Sequence, residues 1–220
     1  MSAELERARF NMIEQQVRPW DVLDARVLAT LAKVRREDFV LPRVRKLAFA
    51  DTELPINDTQ VMMKPVVEGR LLQALLVAPT DNVLEIGTGS GFVTACLGEL
   101  AREVTSVEID AALASKARGR LASAGCSNVS IRVADALANF VPQQTFDAIA
   151  VTAAVFSVPS AWREWLSPGG RLFVIRGESP VMEALLVTRD ADGHGFVEES
   201  LFETDLPYLI GGAPPPRFVL

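Results

Sequence analysis

Three glycines at alternate positions, Gly87, Gly89 and Gly91, follow an apolar run of Val83, Leu84 and Ile86 that only Glu85 interrupts. Glycine backbone can turn with φ > 0 and pass close to a ligand. A buried strand that ends in such a loop and hands over to a helix holds a nucleotide-like molecule at the carboxyl edge of a doubly wound sheet. The spacing narrows the ligand. A dinucleotide loop reads G-x-G-x-x-G, and a phosphate cradle needs Gly-Lys-Ser/Thr. Here the loop is G-x-G-x-G, with Phe92 after it. A carboxylate beside the loop repels phosphate and welcomes an ammonium. Buried carboxylates are costly unless paired, so Glu85 is expected at the strand tip, facing a polar ligand. The ligand implied is a nucleoside with a cationic, amino-acid-like tail.

Two more acids stand where such a ligand needs them. Glu108 ends the next apolar run about 17 residues past the loop, where a doubly wound sheet presents an acid to both ribose hydroxyls. A carboxylate can accept both hydroxyl hydrogens. The plainer reading is a solvated strand-end acid. Asp135, after Arg132-Val133-Ala134, is placed to accept an adenine amine, to cap a helix, or both. Thr152, at the end of Phe146-Asp147-Ala148-Ile149-Ala150-Val151, should face the space over the ligand's reactive end. Candidate bases for an alcohol or amine substrate lie in the 49–65 loop: Asp58 and Asp51, either of which is otherwise a solvated loop acid. Lys64 either steers an anionic substrate or is exposed. The only histidine, His194, sits in a turn-rich link and reads as a surface residue.

Elements to position these residues follow from pattern. From residue 82 the chain alternates strand candidates (82–86, 103–109, 129–133, 146–152, 170–175) with helical stretches (92–100, 111–123, 160–166). Such alternation predicts a parallel sheet with right-handed crossovers. Runs at 182–189 and 196–202 flank Asp190-Ala191-Asp192-Gly193-His194-Gly195, which predicts an antiparallel pair. Residues 1–80 read as mostly helical. Pro19 breaks the first helix, Asp21 or Asp24 caps the next, and Pro65 opens a third. The segment 49–60 reads as irregular. Residues 211–220, with Pro214-Pro215-Pro216, read as a loosely ordered tail.

Composition excludes several classes. Of 220 residues 49% are hydrophobic, enough for a sizeable core. A net charge of −6 without a basic run disfavours duplex nucleic acid as partner. No apolar run reaches the ~18 residues of a membrane span, and the N-terminus lacks a signal-peptide core, so a cytoplasmic protein is expected. Cys96 and Cys126 have no metal-ligand spacing and read as reduced core residues. No metal is expected. Oligomeric state is not legible.

Together the E-I-G-T-G-S-G loop, Glu108, Asp135 and the F-D-A-I strand resemble the class I S-adenosylmethionine-dependent methyltransferases. A closer likeness covers residues 20–210. Asp24-Ala25-Arg26-Val27-Leu28, Arg36-Glu37-Asp38-Phe39-Val40, Ala48–Ile56, Val151-Thr152-Ala153-Ala154, Pro159, Leu166–Gly170 and Asp205–Leu209 are similar to protein-L-isoaspartate O-methyltransferases. The resemblance implies a doubly wound, mostly parallel seven-stranded sheet with an antiparallel C-terminal pair. It implies three parts: a helical extension with a substrate-side loop (1–80), an S-adenosylmethionine-binding domain (81–210) and a flexible tail (211–220). It also implies methylation of isoaspartyl carboxylates in protein repair. Cofactor contacts would come from Glu85, Ile86, Gly87, Thr88, Gly89, Gly91, Glu108, Ile109, Ala134, Asp135 and Thr152. The sequence departs from the family at one place. The family carries Gln-Thr-Ile-Ser-Gln-Pro before the long helix, with the serine at the active site; this chain has Gln60-Val61-Met62-Met63-Lys64-Pro65. Met63 takes the serine's position and Val61 the threonine's, and a thioether is a weak acceptor and no donor. Two further readings therefore stand beside the family's activity: the same fold with a different methyl acceptor, or a cofactor-binding protein without catalysis. A NAD-dependent oxidoreductase is disfavoured by the glycine spacing.

Overall fold

The computed structural model describes residues 3–215. Helix α1 (Ala3–Met12) runs on through a wide turn at Ile13–Val17 and a tight one at Arg18–Trp20, which contains Pro19. Helix α2 (Ala25–Lys33) is capped by Asp24, whose Oδ1 accepts the N–H groups of Arg26 and Val27. Helix α3 (Pro65–Leu75) opens on its proline, whose missing N–H costs nothing in the first turn. Between α2 and α3 the segment expected to be irregular carries a small antiparallel hairpin, β1 (Leu54–Pro55) with β2 (Val61–Met62). Strands of two residues are too short to show a period in sequence. The hairpin is held instead by its turn, where the Asn57 side-chain carbonyl accepts the N–H groups of Thr59 and Gln60.

The second half follows the predicted alternation: β3 (Asn82–Ile86), α4 (Phe92–Leu100), β4 (Glu103–Glu108), α5 (Ala111–Ser123), β5 (Val129–Val133), β6 (Phe146–Val155), α6 (Ser160–Glu164), β7 (Leu166–Glu178), β8 (Val181–Arg189) and β9 (Phe196–Thr204). They form one seven-stranded sheet in the order β5-β4-β3-β6-β7-β8-β9. Pairing is parallel from β5 to β7 and antiparallel for β7–β8 and β8–β9. β7 begins earlier than predicted. A register shift between Phe146 and Ala148 lets the turn-like Ser167–Gly170 run remain in the strand as an irregularity.

Side chains alternate across β3. Val83 joins the core that holds α3, α4 and residues of the N-terminal helices, whereas Leu84 and Ile86 join the core on the other face, with Trp162 and Phe140. The N-terminal segments thus pack on the sheet itself. Of the tail, Gly212 is buried and its carbonyl accepts the Phe156 N–H at 2.7 Å, while residues 216–220 lie outside the described residues. Among the described residues no helix is long and apolar enough to cross a membrane. Cys96 is buried on α4, Cys126 is half-buried, and both are free; His194 is exposed in its turn.

Candidate functional site

A cavity opens at the carboxyl ends of β3, β4 and β6, with about 940 Å³ of space counting its mouth. Its floor is the glycine loop. Ile86, Gly87, Thr88 and Gly89 all line it. Gly87 has φ +95, and a Cβ there would meet Thr152 Oγ1 at 2.6 Å, so the loop needs glycine at this position. Thr152 also lines the cavity, and its hydroxyl donates to the carbonyls of Ile86 and Gly87, which ties β6 to the loop. Gly91 (φ +87) lies outside the wall, where it ends the turn and starts α4.

Glu108 lines the cavity from the tip of β4. One carboxylate oxygen accepts the Gly89 N–H at 2.8 Å and the other the Asp110 N–H at 3.0 Å. Each oxygen keeps a lone pair for a ligand hydroxyl. Ile109, Ala134 and Asp135 continue this wall. Asp135 is also a cap, since its Oδ1 accepts the Leu137 N–H at 2.8 Å. Both sequence readings of Asp135 are therefore compatible with its place.

Glu85 is not in the wall. The alternation of β3 sends its side chain, with that of Val83, into the layer covered by α3 and α4, and it is 0% exposed. Its Oε2 accepts hydroxyl hydrogens from Thr94 on α4 and Ser106 on β4, each at 2.5 Å. Burial pushes its carboxyl up to about 8; the two hydroxyls pull it down and the neighbouring Glu108 pushes it further up.

The other wall comes from distant segments. Ile56, Thr59, Gln60, Val61 and Met62 of the hairpin line it, as does Met63 beyond β2, which is 2% exposed. Asp58, which precedes the lining residues Thr59 and Gln60, is exposed and outside the cavity. Lys64 is outside the wall too. Its charge acts on Glu53, whose carboxyl is raised by burial, lowered by Lys64 and raised by Asp205.

Two parts of this wall were not read as site residues in the sequence. The first is the segment 206–210, which crosses the sheet end: Leu209 N–H donates to the Ala154 carbonyl at 2.8 Å and Ala154 N–H to the Pro207 carbonyl at 3.0 Å. The second is Glu68, one turn into α3 and 1% exposed, which lines the cavity. Its Oε2 pairs with Arg36. Arg36 also donates to the carbonyls of Ala48 and Met63, both at 2.8 Å, and stacks 4.9 Å over the Phe92 ring. Burial pushes the Glu68 carboxyl up to about 7 against the opposing pull of Arg36. An acid within an apolar helical face gives no pattern signal of its own.

The model of the family "Protein-L-isoaspartate(D-aspartate) O-methyltransferase" matches residues 8–201. A protein-L-isoaspartate O-methyltransferase of Koribacter versatilis is 41% identical over 86% of this chain and 84% of its own length. One from Syntrophus aciditrophicus is 37% identical over 86% and 87%. Among solved structures, a protein-L-isoaspartate O-methyltransferase from Plasmodium falciparum in complex with S-adenosyl-L-homocysteine superposes with a TM-score of 0.78. It is 18% identical, and the match covers 93% of this chain and 97% of that one, which establishes the shared fold.

Proposed function

The chain belongs to the protein-L-isoaspartate(D-aspartate) O-methyltransferase family, and from that premise we propose that it methylates the carboxylate of isomerised aspartate in proteins, with S-adenosylmethionine as methyl donor. The observation that carries this reading is the extent of the match. Residues 8–201 include both the glycine loop and the hairpin that share the cavity.

Bound S-adenosylmethionine supplies a methyl group activated by a positively charged sulfur. The rest is positioning. A carboxylate acceptor is ionised at neutral pH and needs no base, which agrees with a wall that contains no histidine among the described residues. In this reading Glu108 takes the ribose hydroxyls and Asp135 the adenine amine. Ile86, Gly87, Thr88 and Gly89 form the floor under the tail, with Ile109, Ala134 and Thr152 beside it. Residues 1–80 supply the acceptor side, Met63 packs at the reacting end, and Asp58 and Lys64 act only as charges outside the wall. Alignment and exclusion of water by the hairpin and by residues 206–210 are the contributions to rate.

A test uses the full chain with methyl-labelled S-adenosylmethionine and an isoaspartyl peptide, with the aspartyl peptide as control. Base-labile label should appear on the isoaspartyl peptide alone. No ester, under conditions where S-adenosylhomocysteine binds, would remove the acceptor assignment. A second reading, the same transfer to another acceptor, is favoured by one observation: Val61 and Met63 put no hydroxyl where the family has two. Labelling of a different component of a cell extract, with the isoaspartyl peptide unlabelled, would establish it.

A further inference from the structure

A second cavity opens between α2, α4 and the end of α5, with about 1690 Å³ of space counting its mouth, and it shares no lining residue with the first. Its wall is basic in an acidic chain. Lys33, Arg35, Lys116 and Arg120 line it against Asp38 and Glu99 alone, whereas the whole chain carries a net charge of −6. Both acids are already paired. Glu99 meets Lys33, and Asp38 stands between Arg35 at 3.2 Å and Arg45 at 2.8 Å. Arg35 also meets the buried Glu37 at 3.3 Å. Lys116 and Arg120 make no ion pair among the described residues, and the one hydrogen bond of the Arg120 guanidinium goes to a neutral group, the Ser90 carbonyl, at 3.1 Å.

These two cations lie one turn apart on α5, on the same face. Like charges at that spacing destabilise a helix. Arg120 is also half-buried, and burial lowers its pKa from the usual arginine value, the direction for a cation short of a counter-charge. On an outward helix face such a pair would need no explanation, because long basic side chains simply reach into water. Here both line a cavity. Gly119 between them has no atom within 4 Å of where a Cβ would stand, so the backbone leaves that space open. Phe39 and Ala95, each 2% exposed, give the same cavity an apolar floor.

We propose that this second cavity binds a small organic anion with two or more negative charges, held between Lys116 and Arg120. The Cβ atoms of residues one turn apart are separated by about 5–6 Å, which suits the two charged ends of a diphosphate or a dicarboxylate. Guanidinium and ammonium groups bond to phosphate and carboxylate oxygens alike. The space is larger than two such groups fill, so an organic body fits on Phe39 and Ala95. The anion supplies the counter-charge that α5 lacks. This site is separate from the methyl-donor cavity and does not depend on the function proposed above.

The probes are inorganic pyrophosphate and citrate, each titrated calorimetrically into the full chain at one ionic strength. At least one should bind with a Kd of about 1 mM or tighter. Pyrophosphate alone identifies a phosphate ligand, citrate alone a polycarboxylate, and both together the shared polyanion chemistry. Lys116→Gln, at an exposed position that folding does not need, should weaken the bound anion about fivefold. Arg120→Gln, half-buried, should weaken it about tenfold or more. Arg7→Gln removes the same charge from the exposed face of α1, outside the cavity, and should leave the affinity within about twofold. Saturating S-adenosylhomocysteine should leave it within about threefold. Three results would each overturn the proposal: no binding of either anion, the same affinity in native and Lys116→Gln protein, or the same loss in Lys116→Gln and Arg7→Gln, which would mean general attraction only. Exclusion of the anion by S-adenosylhomocysteine would also overturn it, by placing the anion in the glycine-loop cavity.

Discussion

The two walls of the cavity are made by different means. The glycine-loop wall is backbone and strand tips: Gly87 in a conformation that only glycine adopts without strain, Gly89 donating to Glu108, Thr152 clamping the loop carbonyls. The hairpin wall is built from segments far apart in sequence, with Ile56, Met63 and Glu68 lining the same cavity as Leu206 and Leu209. A wall made of backbone geometry tolerates few sequences and is written in local spacing. A wall made of side chains can exchange a hydroxyl for a thioether without losing the fold. On the hairpin wall Val61 and Met63 stand where the fold leaves side-chain chemistry free to vary, whereas Gly87 (φ +95) and Gly89 (φ +51) of the loop wall are fixed by backbone conformation.

The sharpest test of the backbone-built wall is Glu108→Ala. The carboxylate holds Gly89 and Asp110 by their N–H groups and, in the proposed function, the ribose by its hydroxyls. Hydrogen bonds to a charged group contribute about 1.5–3 kcal/mol each. Losing two or more predicts that S-adenosylhomocysteine affinity, read by calorimetry, falls by about 100-fold or more. A loss under threefold would mean that the ribose lies elsewhere and that this wall only shapes the loop.

The same contrast explains what was legible in the sequence. The glycines, Glu108, Asp135 and the order of strands and helices follow local rules, and the structure puts all but Gly91 of that glycine set in the wall. Glu85 obeys strand alternation rather than ligand chemistry: a residue two after Val83 shares its face, and that face meets α4. The hairpin was missed because two-residue strands carry no period. Residues 206–210 and Glu68 owe their place to tertiary packing, through the bridge from Ala154 to Tyr208 and the Arg36 pair. No window of sequence contains both partners of either contact.

A second effect separates the acid behind the loop from those in the wall. The Glu85 carboxyl rises from 4.5 to about 8 on folding, burial being the main cause. The folded state therefore keeps a proton that the unfolded chain releases. Stability should fall as pH rises from about 4.5 to 8, by at most ~1.4 kcal/mol per unit. Glu68 adds a slope of the same sign that ends near pH 7. In Glu85→Gln the first contribution is gone. Its urea midpoint should match that of the native protein near pH 5 more closely than at pH 8.5, where the native protein should have lost more. Parallel curves for the two proteins would show that Glu85 does not titrate with folding.

The smallest expected effect is also the one that most directly probes the hairpin wall. Asp58 has two neighbours in the cavity, Thr59 and Gln60, yet is exposed, and the turn it occupies is tied by Asn57. Asp58→Asn should change kcat/KM for an isoaspartyl peptide by no more than about twofold, the usual scale for a surface substitution. The pH–rate profile should not move, because an ionised acceptor needs no proton removed. An alcohol or amine acceptor reverses both expectations. If Asp58 swung inward as its base, the substitution would cost about 100-fold or more and abolish the acidic limb of the profile. A side chain directed to solvent would then be the catalytic group, and the cavity would have to close by moving the hairpin rather than by filling the wall already present.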